Sequence, residues 1–397
     1  MRALSGDKQM SAAALNTATQ WRDSKRYLWL LGAPVALLPV IGGVLAQSTG
    51  FAVFWWLPMI FFYGVIPLID VAIGEDSSNP PESAVPSLEK DRYYRWAVYL
   101  AVPLQYIAFF YGVWIVATHD LAWHEYIALV LGTGFVGGIG INTAHELGHK
   151  INSAERWLAK IALAQTGYGM FFVEHNRGHH VRVATPEDPA TSRFGESFWE
   201  FYPRVVIDSH VSAWHLERER LERKRKSVWH WSNHNLQAWG LSVILFTAAT
   251  ALFGWKVLPF ILLQALYGSS LLEVVNYLEH YGLCRQRLDN GHYERCQPRH
   301  SWNSNHVVTN LLLYQLQRHS DHHANPTRVY QALRHYDESP QLPAGYASMV
   351  MLAYLPPLWF RIMNPRVVKH FGGDLSKANI KPSLRQRIIA QYGKAAA

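Results

Sequence analysis

Histidine is the residue type whose number and spacing in this sequence point most directly to chemistry. The chain has 20 histidines in 397 residues, and four short motifs hold a closely spaced subset: NTAHELGHK, EHNRGHH, NYLEHYG and LQRHSDHH. Residues three or four positions apart share one face of a helix, so His145 is expected to face the same way as His149, and His175 the same way as His179. The full set is His145, His149, His175, His179, His180, His280, His319, His322 and His323.

These histidines predict a metal site, because imidazole is the commonest protein metal ligand and suits iron, zinc, copper and nickel. The nine rings exceed what a single ion can coordinate, so we predict two metal ions. The stretch from His145 to His149 also reads as H-E-x-x-H, in which two histidines bind zinc and the glutamate is the base of a protease. A zinc protease needs only one further ligand and leaves seven histidines without a role, so a two-metal centre is favoured.

Acidic side chains near the motifs are predicted to hydrogen-bond to the ligands, since the second nitrogen of a metal-binding imidazole usually has such a partner. Glu273, Asn276 and His280 fall on one helical face. Asp188 lies in TPEDPAT, where a simple turn residue is the alternative. The predicted partners of the ligands are Glu146, Asp188, Glu273, Asn276, Glu279 and Asp321.

Other histidines and both cysteines favour non-catalytic roles. His230 and His234 are flanked by tryptophans just before an apolar stretch, which is typical of residues at the level of lipid headgroups. Cys284 and Cys296 do not form a tight Cys-x2–4-Cys pair, so packing is favoured over zinc binding at these thiols.

Six stretches approach the ~20 apolar residues that a helix needs to cross a bilayer. They cover residues 27–47, 51–73, 96–118, 123–143, 236–253 and 258–272. The sequence therefore predicts an all-α protein with six transmembrane helices and a cytoplasmic helical cap that carries the metal site. We divide it into an N-terminal tail (1–26), a catalytic membrane domain (27–376) and a polar tail or linker (377–397).

The distribution of basic residues predicts the orientation in the membrane. The chain has 37 Lys and Arg against 29 Asp and Glu, a net charge of +8. The basic residues are concentrated in the N-terminal tail and in the segments after 143 and 279, whereas the short turns hold one, Lys256. Cytoplasmic segments carry such an excess, so both termini and the long loops are expected in the cytoplasm. No basic face with base-stacking groups indicates nucleic-acid binding.

The four motifs together resemble the eight-histidine pattern (HxxxH, HxxHH, HxxHH) of the integral-membrane di-iron superfamily, which includes fatty-acid desaturases and hydroxylases. The longer strings NTAHELGHK, EHNRGHH, NYLEHYGL and LQRHSDHHANPTRVYQALR are similar to those of bacterial membrane alkane 1-monooxygenases, over about residues 27–370. The resemblance implies an inner-membrane enzyme with two non-haem iron ions that uses O2 to convert the terminal methyl of a medium-chain n-alkane into a primary alcohol. It also implies that electrons come from a rubredoxin, reduced by a flavin-dependent NAD(P)H reductase. Asn276 resembles the asparagine through which related desaturases hold a metal by way of water.

The residues agree with that reaction. Iron with O2 can break an unactivated C–H bond, whereas zinc is redox-inert. An alkane has no polar group, so its binding depends on apolar contacts of about 0.8 kcal/mol per buried CH2. A narrow apolar channel would present the chain end first, and we predict Trp55, Trp56 and Phe61 as its walls, with packing or lipid contact as the alternative. A rubredoxin domain needs four cysteines, so with two the electron donor must dock from outside.

Two further functions remain open at this point. A di-iron desaturase, or a hydroxylase of another lipid, would share the same histidines and differ in product. A membrane metal carrier would place ionisable ligands along a path through the bilayer, and the predicted spans have almost none at their centres.

Overall fold

The computed structural model describes residues 21–393, which fold mainly into helices joined by irregular segments and form no β-strand. In chain order the helices of eight residues or more are α1 Arg26–Thr49, α2 Ala52–Ile73, α3 Arg92–Thr118, α4 Trp123–Gly148, α5 Ser153–Ala164, α6 Phe198–Glu222, α7 His234–Phe253, α8 Trp255–His280, α9 Tyr346–Ala353, α10 Pro356–His370 and α11 Arg385–Tyr392. Six of them, α1–α4, α7 and α8, are long and apolar enough to cross a membrane, as the sequence predicts.

Helix α4 is the most deeply buried of the six spans and packs against α3, α5 and α8. Glycines allow its close approach to α8: a Cβ on Gly134 would lie 2.6 Å from the carbonyl oxygen of Gln264, and one on Gly268 would lie 2.8 Å from that of Gly134. Small residues at such a contact let two backbones pack directly against each other. The two helices that carry histidines at their ends are thereby held side by side.

Both of these helices extend beyond the apolar stretches predicted from sequence. Helix α4 continues from residue 143 to Gly148, and α8 continues from residue 272 to His280. The added turns contain polar residues, most of whose side chains are buried within the protein. They carry His145 and His280 into the interior.

The segments predicted as tails pack against the body where the structure describes them. Asp23 accepts hydrogen bonds from the indole nitrogen of Trp29 (2.9 Å) and the hydroxyl of Tyr94 (2.8 Å). Near the other end, Ile388 is buried and the ring of Tyr392 packs 5.8 Å from that of Phe194. Apolar contacts thus hold α11, which lies within the segment predicted as a tail or linker, against the rest of the chain. Residues 1–20 and 394–397 of the predicted tails lie outside the described residues.

Candidate metal centre

The structure brings all nine motif histidines together in two adjacent groups. Within each group, one nitrogen from every ring lies within 4.8 Å of the others. The five-histidine cluster contains His145, His149, His175, His180 and His322, and the four-histidine cluster contains His179, His280, His319 and His323.

A π-helical turn, Glu174–His179, divides the second motif between the clusters. The rings of His175 and His179 are close neighbours, with centroids 5.4 Å apart, as expected for residues one turn apart. His175 nevertheless lies with His180 in the five-histidine cluster, whereas His179 belongs to the other one. The pairing of His145 with His149 follows the ordinary α-helical repeat of α4.

The last motif also supplies both clusters, from the short helix His319–Ala324. His319 and His323 are four positions apart and both belong to the four-histidine cluster. His322 points about 100° away from His323 around the helix axis and reaches the five-histidine cluster. His280, at the end of α8, completes the four-histidine cluster.

The nitrogen spacing fits coordination of one ion by each cluster. Metal–imidazole bonds are about 2.0–2.1 Å long, so two ligands at right angles place their nitrogens about 3.0 Å apart. The Nε2 atoms of hydrogen-bonded ring pairs are 2.8–3.1 Å apart in both clusters. His145 and His322 give 2.8 Å in one, and His319 and His323 give 2.8 Å in the other.

The protonation and hydrogen bonding of the rings also suit metal ions. Burial, and next the charge of neighbouring imidazoles, lowers the pKa of His175, His322 and His323 well below the usual value. Neutral imidazole is the form that binds a metal. The Nε2 of His280 is buried and has no hydrogen-bond partner among the described residues. A buried polar atom without a partner is costly, and a metal ion would satisfy it.

Asp188 and Glu279 each contact one ring of the four-histidine cluster. Asp188 contacts the Nδ1 atom of its histidine, whereas Glu279 contacts the Nε2 atom. Asp188 Oδ2 lies 2.9 Å from Nδ1 of His179, which leaves Nε2 of that ring facing the cluster. Burial alone would raise the pKa of Asp188, but the charge and hydrogen bond of His179 lower it to about 2. Glu279 Oε2 lies 3.1 Å from the inward Nε2 of His319, so this carboxylate brings an oxygen donor into the cluster.

Glu273 and Asn276 bind each other rather than a histidine. Asn276 Nδ2 donates to Glu273 Oε2 (3.1 Å), and the hydroxyl of Tyr168 donates to Glu273 Oε1 (2.8 Å). Both side chains are buried. Asn276 lies beside the metal centre, where it lines the cavity described below.

Glu146 and Asp321 form no hydrogen bond or ion pair with any of the nine rings. Glu146 pairs with Lys150 at 2.6 Å, and Asp321 accepts from Arg328 (3.1 Å) and the backbone N–H of Arg334 (2.8 Å). Each acid follows or precedes a ligand by one position, and neighbouring residues on a helix point about 100° apart. Their predicted contact with the ligands is corrected accordingly, and Glu146 is not placed as the base of a zinc protease.

An apolar cavity with an empty volume of about 690 Å³ ends at the two clusters. Its walls are largely aliphatic and aromatic, and include Phe62, Phe135, Ile139, Leu271, Val275 and Val350. Its polar lining is formed by Asn142, His145, His175, Asn276, Glu279, His319 and Tyr346.

The three side chains predicted to line a substrate channel are not among the residues that line this cavity. Trp55 is buried in a separate apolar core with Phe109 and Phe260, and Trp56 and Phe61 are partly buried against the main core. Phe62 lines the cavity instead, with its ring 4.6 Å from that of Phe135. Helix α2 contains a π-helical turn at Phe61–Val65, so a regular helical repeat does not identify its inward face.

Tyr346 is a residue of the site that no motif indicated. Its hydroxyl donates to Glu279 Oε1 at 2.7 Å, and its ring lines the cavity. It begins α9, far from the histidine motifs in sequence, so only the tertiary fold brings it to the site.

Comparisons with known proteins agree with this geometry. A family model described as fatty acid desaturase matches residues 121–353, a range that contains all nine histidines. The alkane 1-monooxygenase of Ectopseudomonas oleovorans is 48% identical over 384 residues, which cover 96% of each chain. The chain belongs to the alkane 1-monooxygenase family. Within this family, alkane 1-monooxygenase 1 of Alcanivorax borkumensis is 49% identical over 94% of this chain and 92% of its own length. The hydroxylase component XylM of the xylene/toluene monooxygenase of Pseudomonas putida is a more distant relative, 27% identical over 67% of this chain and 70% of its own.

Proposed function

We propose that this protein hydroxylates the terminal methyl group of medium-chain n-alkanes to give 1-alkanols, with O2 as co-substrate and two non-haem iron ions. The observation that carries the proposal is the apolar cavity whose polar lining belongs to the two histidine clusters. The enzyme class is that of the relatives, several of which are alkane 1-monooxygenases of nearly the same length.

Each of the two clusters would hold one metal ion. One iron would be held by the five-histidine cluster, and the other by the four-histidine cluster with the carboxylate of Glu279. Asp188 keeps the His179 ring in the tautomer that turns Nε2 towards the metal. When bound, the two iron ions supply the oxidising power that an unactivated C–H bond requires.

The protein's own residues bind and orient the substrate. The apolar walls exclude water and gain about 0.8 kcal/mol for each CH2 of the alkane that they bury. His145, His175 and His319 lie at the cavity surface, so a chain that enters end first brings its methyl group to the metal ligands. No lysine or arginine lines the cavity among the described residues, so it offers no partner for the carboxylate of a fatty acid.

The electron donor and the topology follow from the same proposal. A rubredoxin, reduced by an NAD(P)H-dependent reductase, would deliver two electrons from the cytoplasm. The protein would lie in the bacterial inner membrane with both termini and the metal centre on the cytoplasmic side, where Lys and Arg are enriched. The helices outside the six spans, α5, α6 and α9–α11, would form the cytoplasmic cap.

The test is metal analysis together with product analysis. The purified full chain, with rubredoxin, reductase, NADH and O2, should convert octane to 1-octanol and contain about two iron ions per chain. An alkene product would move the assignment to a desaturase, and zinc in place of iron would contradict it. A metal carrier has no support in the geometry, because the nine histidines lie together rather than along a path through the spans.

A further inference from the structure

A group of basic side chains lies outside the metal centre, where α5, α6 and α7 meet. We call it the basic cluster. Four cations surround the start of α7, and one carboxylate, Glu217, is hydrogen-bonded within the group. Its members are Arg156 and Lys160 of α5, Arg177 of the π-helical turn, Arg220 of α6 and His234 of α7.

Glu217 is already fully engaged by two of the four cations. Its Oε1 accepts hydrogen bonds from Arg177 and from Arg220 Nε, the latter at 2.7 Å. Its Oε2 accepts from Arg220 Nη2 at 2.6 Å and from the backbone N–H of His234 at 2.8 Å. Burial alone would raise the pKa of Glu217, but these donors lower it to about 2, so the carboxylate is ionised. Its two oxygens therefore have no free position to accept a hydrogen bond from Arg156 or Lys160.

Lys160 is an ammonium group that is 2% exposed and forms no ion pair with a carboxylate among residues 21–393. Its Nζ lies 2.9 Å from Nδ1 of His234 and donates to Oε1 of Gln237. It also lies 4.5 Å from the ring centroid of Trp157 and 4.8 Å from that of Phe172. All of these contacting groups are neutral, and the charge of Glu217 only partly offsets the cost of burying a cation that no anion contacts. Burial, and next the charge of Arg156, lowers the pKa of Lys160 to about 8.

Arg156 adds a second cation that forms no ion pair with a carboxylate among residues 21–393. Its Nη2 lies 3.5 Å from Nε2 of His234, the ring whose Nδ1 already faces Lys160. A neutral imidazole has a single acceptor nitrogen, so the two cations cannot both donate to His234. The basic cluster therefore has more charged donors than acceptors, and an anion with several oxygen atoms is the kind of group that could accept from them.

The basic cluster lies at the level expected for lipid headgroups. His234 is the first residue of α7, one of the six helices long enough to span the membrane. Exposed tryptophans surround this point, with 42% exposure at Trp157, 72% at Trp229 and 76% at Trp231. Tryptophan is enriched at the boundary between lipid and water, and basic pockets between helices at that boundary bind anionic headgroups.

We propose that Arg156, Lys160 and His234 form a binding site for the phosphate of an anionic phospholipid. Inorganic phosphate shares the same chemistry. We favour a phospholipid because the exposed tryptophans and the start of α7 indicate that the site lies at the depth of lipid phosphates. The site is independent of the proposed reaction, because none of these three residues contributes to the histidine clusters or the cavity.

The experiment measures lipid binding to the delipidated full chain in detergent, by native mass spectrometry and by thermal shift. The probes are phosphatidylglycerol, phosphatidylcholine with the same acyl chains, and inorganic phosphate. Phosphatidylglycerol should bind at least about tenfold more tightly than phosphatidylcholine, because two cations without a paired carboxylate attract an anionic headgroup more strongly than a zwitterionic one. Arg156→Gln should weaken phosphatidylglycerol binding about tenfold, and Lys160→Gln should weaken it similarly.

Arg223→Gln is the matched control, because it removes one positive charge at an exposed position just after α6. It should bind phosphatidylglycerol as the unmodified chain does. Equal binding by Arg156→Gln and the unmodified chain would overturn the site. An equal thermal shift with inorganic phosphate would overturn the assignment to a phospholipid. Arg156 is partly exposed, so its variant remains informative if the buried Lys160→Gln variant fails to fold.

Discussion

The Nδ1 atom of His179 lies 2.9 Å from Oδ2 of Asp188, and the hydroxyl of Thr191 donates to the same oxygen at 2.6 Å. The acid is fully buried and nine positions after the histidine, in a turn of its own. This contact fixes one nitrogen of the ring and directs the other into the four-histidine cluster. Asp188 thus acts on the metal centre through His179.

Asp188→Asn should reduce metal affinity or activity about 10–100-fold, which is typical when the hydrogen-bond partner of a ligating histidine is replaced. The side-chain amide of asparagine is neutral, so it cannot stabilise the N–H of His179 with a full negative charge as the carboxylate does. Iron per chain and the rate of 1-octanol formation measure the effect. Glu187→Gln, at the exposed neighbouring carboxylate, should leave both unchanged. Full iron content and activity in Asp188→Asn would show that the contact has no role.

Gly178 allows the π-helical turn to pack against the ion pair of Glu174 and Arg182. A Cβ at this position would lie 2.4 Å from Glu174 Oε1 and 2.6 Å from Arg182 Nη2. Gly178→Ala should therefore displace the ends of the Glu174 and Arg182 side chains, and we expect a modest fall in the iron content of both clusters. Gly64→Ala is the control: Gly64 lies in the other π-helical turn, and nothing stands within 4 Å of its added Cβ. If the two variants retain equal iron, the turn tolerates a side chain and the argument fails.

Phe62 and Phe135 narrow the cavity, with ring centroids 4.6 Å apart. Phe62→Ala should lengthen the space available and shift the preferred substrate to longer n-alkanes. Each additional CH2 buried should contribute about 0.8 kcal/mol, or about fourfold in binding. Competition between n-alkanes of different length, analysed by gas chromatography, measures the shift. Trp55→Ala, in the separate core, should leave the chain-length preference unchanged. A shift caused by Trp55→Ala but not by Phe62→Ala would instead place the channel along Trp55.

Lys160 predicts a specific dependence of stability on pH. Its pKa falls from 10.5 to about 8 in the folded chain, so between these values the unfolded chain binds more protons. Stability should therefore rise as pH increases from about 8 towards 10.5. The thermal midpoint in lipid-free detergent, compared between the unmodified chain and Lys160→Gln, isolates this contribution. The advantage of Lys160→Gln should shrink as pH rises, and a constant difference would contradict the assigned shift.

The elements of this fold were predictable from sequence, because apolar stretches long enough to span a bilayer and closely spaced histidines are local signals. The division of the nine histidines between two clusters was not, because it depends on which nitrogens meet in the tertiary fold, and even the neighbouring rings of His175 and His179 belong to different clusters. The cavity was predictable in kind but not in detail. Tyr346 reaches it only through the tertiary fold, and the π-helical turn in α2 brings Phe62 rather than Phe61 to its wall.

Two short segments, the π-helical turn with His180 and the helix His319–Ala324, each supply imidazoles to both clusters. Neither segment can shift without moving donors at the two candidate metal positions at once, so the positions are mechanically linked. The first ion to bind should accordingly preorganise the place of the second, and the protein should load its metal ions cooperatively.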